Sequence, residues 1–293
     1  MNKQDLIKMA SYFVENSEDN IITKQIALSE TVVGMKIFEA PIFAFGAADD
    51  EYFKLLKDPP AIGKHFLLPK EWLPQSKTVI SFFLPFTEAV KKGNRRDMSW
   101  PSEEWLHGRI EGQAFLNKLC QHLKSELINT GYNSLVPSLD ERFLVKTGFN
   151  NASPHSYNNC EPTVLFTSNW SERHVAFVCG LGTFGLSKGL ITKKGIAGRF
   201  GSIITELYLS PDEREYETIY EYCSMCGACV KNCPVNAISI DKGKNHMICS
   251  DFLDKTAEKY KPRYGCGKCQ IRVPCESSIP NNINTILKQN LHK

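Results

Sequence analysis

At 293 residues the chain is long enough for one large domain with its own hydrophobic core and a second, small one. Its 35 Lys and Arg against 32 Asp and Glu leave a formal charge of +3, which gives no global nucleic-acid-binding footprint. The longest apolar run, residues 78–86, is too short to cross a bilayer, and Met1-Asn-Lys-Gln-Asp lacks a signal-peptide layout. A cytoplasmic protein with no membrane association is the expectation.

In chain order, Leu6, Ile7, Met9, Ala10, Phe13 and Val14 recur at helical spacing and predict a core-facing helix over 5–16. Residues 36–45 alternate in part and predict a strand broken at Pro41, ending at Gly46. Residues 54–74 hold Pro59, Pro60, Gly63, Pro69 and Pro74 and read as an irregular connection. Thr78–Leu84, β-branched and aromatic, fits a strand buried on both faces. The basic stretch Lys91–Arg96 reads as a solvated loop, and so do Lys193 and Lys194 with Arg199.

Phe115, Leu116, Leu119, Cys120, Leu123 and Leu127 make one helical stripe, with Gly131 placed for a C-terminal cap and Cys120 a packed small hydrophobe. Residues 147–162, with His155, Tyr157 and Cys160, form a long polar loop of the kind that is functional or disordered. Asn169-Trp-Ser-Glu172 reads as a capped helix start, with Val175, Ala176, Val178 and Cys179 on one face. Gly180-Leu-Gly182-Thr-Phe-Gly185 matches G-x-G-x-x-G, but a dinucleotide turn needs a strand before it and a helix after it. Here a helical pattern precedes it and Gly189, Gly195 and Gly198 follow, which disfavours that reading. Ser202–Leu209 predicts a strand, and the linker at 210–214 marks a domain boundary, giving domains 1–214 and 215–293.

Beyond the linker, Cys223, Cys226, Cys229, Cys233 and Pro234 spell C-x2-C-x2-C-x3-C-P, the run by which bacterial ferredoxins hold a [4Fe-4S] cluster. In two-cluster ferredoxins the fourth cysteine ligates the other cluster, so a partner set is expected. Cys249, Cys266, Cys269 and Cys275 supply it, and eight of the eleven cysteines fall in this segment. The expected ligand sets are Cys223, Cys226, Cys229 and Cys275 for one cluster and Cys233, Cys249, Cys266 and Cys269 for the other. Zinc takes paired C-x2-C ligands but has no use for this order, and a chain this long needs no disulfide staples. Two oxidised clusters at about −2 each would bring the formal charge to about −1.

The block Glu172-Arg173 with Gly180–Ile191, Gly201 and Thr205, followed by the cysteine module, resembles the epoxyqueuosine reductases and the related corrinoid reductive dehalogenases over roughly residues 75–280. The resemblance implies an α+β fold: a nitroreductase-like cofactor domain followed by a ferredoxin-like domain with two [4Fe-4S] clusters. It implies cobalamin as cofactor, with Gly180, Leu181, Gly182 and Gly185 in contact with it, and an electron donor of ferredoxin or flavodoxin type. In the epoxyqueuosine reductases an aspartate fourteen residues before the first glycine serves as proton donor; here that position is Phe166. The tRNA-binding helical repeats that follow the clusters in that family are absent from this sequence.

The expected function is therefore an iron–sulfur oxidoreductase that passes electrons through two clusters to cobalamin, acting on an unidentified substrate. The alternatives are an electron-transfer protein that reduces a partner's cofactor, and a tRNA epoxyqueuosine reductase. Candidate proton donors are Asp140, Glu141, His155, Tyr157 and Glu172; each also has a bland reading, as surface charge, loop residue or helix cap. Cys160 and Cys179 are either thiol nucleophiles or bystanders.

Overall fold

A computed structural model of the protein describes residues 1–59, 61–147 and 166–281. The core is a four-stranded antiparallel sheet of order β1-β2-β8-β3, from Ile42–Ala47 (β1), Thr78–Pro85 (β2), Ser134–Leu135 (β3) and Gly198–Thr205 (β8). Every residue of β2 is buried, because both faces of this central strand are covered. Side chains alternate across it: Ile80, Phe82 and Leu84 enter one cluster, Val79 the other.

On the first face lie α1 (Lys3–Asn16) and α5 (Glu103–Asn129), which bury Leu6, Ala10 and Val14 against Phe115, Leu119 and Leu123. α1 is closed at its start by an Asn2–Asp5 capping box. The helix expected from Phe115 begins twelve residues earlier, at a Ser102 cap, and ends as expected at Gly131 in the left-handed region (φ +91°). Its first turns escaped the periodicity because Glu104, Trp105, Leu106, His107 and Gly108 are all buried, leaving no polar face. Gly108 and Gly112 let the helix approach Phe86 and Phe38 closely.

The other face carries α6 (Glu172–Cys179) and the hairpin of β6 (Gly182–Phe184) and β7 (Leu190–Thr192). The stretch 54–74 is not wholly irregular: α2 (Glu51–Leu55) and α3 (Pro69–Trp72) flank it, and Trp72 is buried beside Trp170. Val145–Thr147 (β4) pairs with Phe166–Ser168 (β5). Lys91–Arg96 is not a solvated loop: most of it lies in α4 (Glu88–Arg95), with Lys91 and Asn94 buried. Arg199 also departs from its solvated reading, its guanidinium set deep beside Gln113, whereas Lys193 and Lys194 are exposed as expected.

The cysteine-rich segment adds α7 (Ala228–Lys231), a ribbon of β9 (Ile238–Ser239) and β10 (Gly243–Lys244), and α8 (His246–Tyr260). It is bonded tightly to the sheet domain. Ile196 N–H donates to Cys275 O at 2.9 Å, Arg95 pairs with Glu276, and Lys91 Nζ donates to Ser277 Oγ at 2.9 Å. No helix among the described residues is long and apolar enough to cross a membrane.

Candidate redox centre and cofactor cavity

Cys223, Cys226, Cys229 and Cys275 line one small cavity together with Met225, Leu186, Ile191 and Val273. Burial pushes the Cys229 and Cys275 thiols up to about 12, and neighbouring cysteine sulfurs push the same way. The other four gather likewise. Burial raises Cys266 to about 12 with Cys269 and Cys249 adding to it, while Cys269 is raised by burial and by Cys249 and Cys233. Cys269 is also a neighbour of Cys229, so the two quartets are adjacent. Among the described residues no three His, Cys, Asp or Glu groups are placed to hold a single metal ion.

Burial and neighbouring sulfurs make Cys229, Cys275, Cys266 and Cys269 hard to ionise, a cost that a shared positive charge offsets. A [4Fe-4S] cluster supplies one to four thiolates at once, so the donor sets fit that group. The backbone is shaped to this end, with Gly227 and Gly267 in the left-handed region between paired cysteines. Gly267 has a second reason: an added Cβ would run into the Trp105 ring of α5. Cys120 and Cys179 are buried singly in the core, their thiols pushed up by burial, and line neither site.

Next to the second quartet lies a cavity of about 970 Å³. That is at the upper end of the range for small-molecule and cofactor sites. One wall is apolar, from Leu55, Ile62, Phe143, Phe166 and Phe177, and the opposite chemistry comes from Arg173, Lys188, His174, His246 and Tyr220. No Asp or Glu is among its described lining residues. His246 and Met247 open α8, the helix that carries Cys249, so the cavity and the second quartet share an element. His174 is pushed down to about 4 by burial and by the charges of Arg173 and Lys188, and is neutral at pH 7. Lys188 Nζ lies 3.0 Å from the Tyr220 hydroxyl, and Arg173 is held by Lys188 O at 2.9 Å.

Of the residues singled out by sequence, Phe166 stands on the cavity wall with its ring 6.1 Å from that of His246. Gly180, Leu181, Gly182 and Gly185 do not line it. Gly180 is the left-handed cap of α6 (φ +102°), Leu181 is core, and a Cβ on Gly182 would meet the Ile191 carbonyl. The glycines thus shape the hairpin that carries Phe184 and Lys188 to the cavity. The expected cap at Asn169 is instead at Ser171; Asn169 binds Leu144 N–H and Arg142 O.

Asp140 pairs with Arg142, which holds its carboxyl below the usual range, and Glu141 is exposed; neither lines the cavity. Glu172 is different, though it too is not a lining residue. Its carboxyl oxygens are buried without a hydrogen-bond partner, and burial raises it to about 7 against the opposing influence of Ser202. His155, Tyr157 and Cys160 lie outside the described residues. Tyr220 was missed by sequence reasoning. Its only signal was its place three residues before Cys223, since the pairing with Lys188 is a tertiary contact.

These features define the class as iron–sulfur: residues 216–239 match the 4Fe-4S binding domain family. More particularly, the chain is similar to the epoxyqueuosine reductase of Staphylococcus aureus, 24% identical over 235 residues. That match covers 75% of this chain and 53% of the relative, so the chain spans about half of that protein's length. A shorter stretch of 69 residues is 38% identical to the tetrachloroethene reductive dehalogenase of Desulfitobacterium hafniense, covering 23% of this chain and 12% of that one. Among solved structures, epoxyqueuosine reductase from Streptococcus thermophilus has a similar fold, with a TM-score of 0.50 at 18% identity over 95% of this chain and 67% of the other. The mixed α/β architecture is therefore shared with that enzyme.

Proposed function

We propose that the protein is an iron–sulfur oxidoreductase in which two [4Fe-4S] clusters deliver electrons to a cofactor held in the cavity, with cobalamin as that cofactor. The observation that carries this reading is the gathering of eight cysteines into two adjacent quartets, the second sharing α8 with the cavity. On this reading residues 1–214 form a nitroreductase-like cofactor domain and 215–293 a ferredoxin-like one. The chain is cytoplasmic, and a ferredoxin or flavodoxin supplies electrons. The clusters supply one-electron transfer; the corrin supplies a strongly reducing metal centre. The chain's own part is to exclude water with the Phe166 and Phe177 wall, to balance negative charge with Arg173 and Lys188, and to present a proton at Tyr220 Oη.

Phe166 removes the carboxylic acid of the epoxyqueuosine reductases, so a substrate other than epoxyqueuosine is favoured. A tRNA substrate remains the second reading, supported by the overall similarity. Anaerobic reconstitution tests the first claim by giving about eight iron and about eight sulfide per chain. Equilibrium titration of the reconstituted protein with cobalamin tests the second. About half that iron overturns the two-cluster reading, and absence of cobalamin binding leaves an electron-transfer protein.

A further inference from the structure

The two cysteine quartets differ in the charge around them. Lys268, inside the Cys266-Gly-Lys-Cys269 loop, is fully buried, and its ammonium donates to Asn94 O at 2.8 Å and Asn94 Oδ1 at 2.6 Å. The same Asn94 binds Cys266 O through Nδ2 at 2.9 Å, so ammonium and ligand loop are clamped together. Both acceptors are neutral; exposed Asp97 feels the charge without forming an ion pair. Lys244 and Arg173 are further cations beside Cys269. In the first quartet the groups acting on Cys229 and Cys275 are other cysteines and backbone, with no Lys or Arg among them.

A buried cation is stabilised by nearby negative charge, and the groups that act on Lys268 in that sense are Cys266, a ligand of the second centre on the reading above, and Asp97. Adding an electron makes a cluster more negative, so a fixed positive charge in a low-dielectric setting stabilises the reduced form more than the oxidised one. Resting on the two-cluster reading above, we infer that Lys268 is the fixed charge that gives the centre held by Cys233, Cys249, Cys266 and Cys269 a higher reduction potential than its neighbour. The transfer from the Cys223 centre to the second centre is then downhill. One electron from a low-potential donor of ferredoxin or flavodoxin class reduces the Cys223 centre, which is reoxidised as the second centre takes up that electron. Lys268 is a positioning residue for charge, with no contact to substrate.

The test is a redox titration of the anaerobically reconstituted full chain, followed by electron paramagnetic resonance. In the wild type two steps are expected, and the centre reduced first is the one whose signal is altered by Cys269→Ser and not by Cys226→Ser. Lys268→Met should lower the potential of that centre alone at unchanged iron content, and Lys268→Arg should preserve it. Coincident potentials in the wild type overturn the inference, as does the opposite assignment from the cysteine variants. So does a Lys268→Met protein that holds its iron with both potentials unchanged. Should Lys268→Met fail to load iron, the wild-type order and the cysteine variants still decide. About four iron per chain would instead remove the two-cluster reading, whereas about eight with coincident potentials removes only this one.

Discussion

The Lys188 ammonium donates to the Tyr220 hydroxyl at 3.0 Å, and both residues line the cavity on whose wall Phe166 stands. On the reading proposed above, Tyr220 Oη is the hydroxyl that presents a proton to a bound ligand. In epoxyqueuosine-tRNA reduction assays the wild type should be slow, and Phe166→Asp should raise the rate. General acid catalysis is typically worth about 10²–10⁴-fold, which sets the size of that gain. Robust wild-type turnover would show that Phe166 is no obstacle; Tyr220→Phe should then remove it by a similar factor while ligand affinity holds.

Gly182 gives a prediction independent of any cofactor. An added Cβ would press on the Ile191 carbonyl across the β6–β7 hairpin, so Gly182→Ala should lower the melting temperature of cobalamin-free protein. The expected cost is about 1–3 kcal/mol, the usual size of an overpacking defect. A variant with unchanged stability and weakened cobalamin binding would instead return this glycine to the role of a cofactor contact.

Glu172 predicts a pH dependence. Its folded value, near 7, lies above the ordinary 4.5 because the carboxyl is buried. Between those values the folded protein keeps a proton that the unfolded chain has lost, so stability falls as pH rises through this window. Glu172→Gln removes the effect. The variant's advantage over the wild type should grow from pH 5 to pH 8, to about 3 kcal/mol at most. His174, pushed down, has the opposite slope between about 4 and 6.5, but it cancels in the comparison. Parallel wild-type and variant profiles in thermal denaturation would mean that Glu172 is ionised in the folded state.

Gly267→Ala should cost the second quartet its cluster. The position has φ +69°, and the side chain would enter the ring of Trp105, itself buried. On the two-cluster reading proposed above, iron content should fall by about half after reconstitution. Full iron would show that the loop can move away from α5.

The iron–sulfur character was legible because its information is local: the C-x2-C-x2-C-x3-C-P run lies within residues 216–239, which match the 4Fe-4S binding domain family. The central strand was equally plain, since Thr78–Leu84 carries apolar side chains toward both faces. The cavity was not, because its lining comes from residues as far apart as Tyr52, Phe166, Lys188 and His246, none of which forms a pattern with its sequence neighbours. Charge misled in the same way. Lys91 and Arg199 looked solvated, but one is covered by Ser277 and the other by Gln113, contacts between distant stretches. The glycine block was legible as a motif and illegible as a role: backbone crowding in a hairpin gives the same residues as close approach to a ligand.

The bond from Ile196 N–H to Cys275 O joins the segment just before the last sheet strand to the closing ligand of the first quartet. That bond ties the placement of Cys275 to the segment that leads into β8, a strand inside the sheet. A lesion in the sheet is therefore expected to surface in cells as a shortage of iron in the cysteine-rich segment.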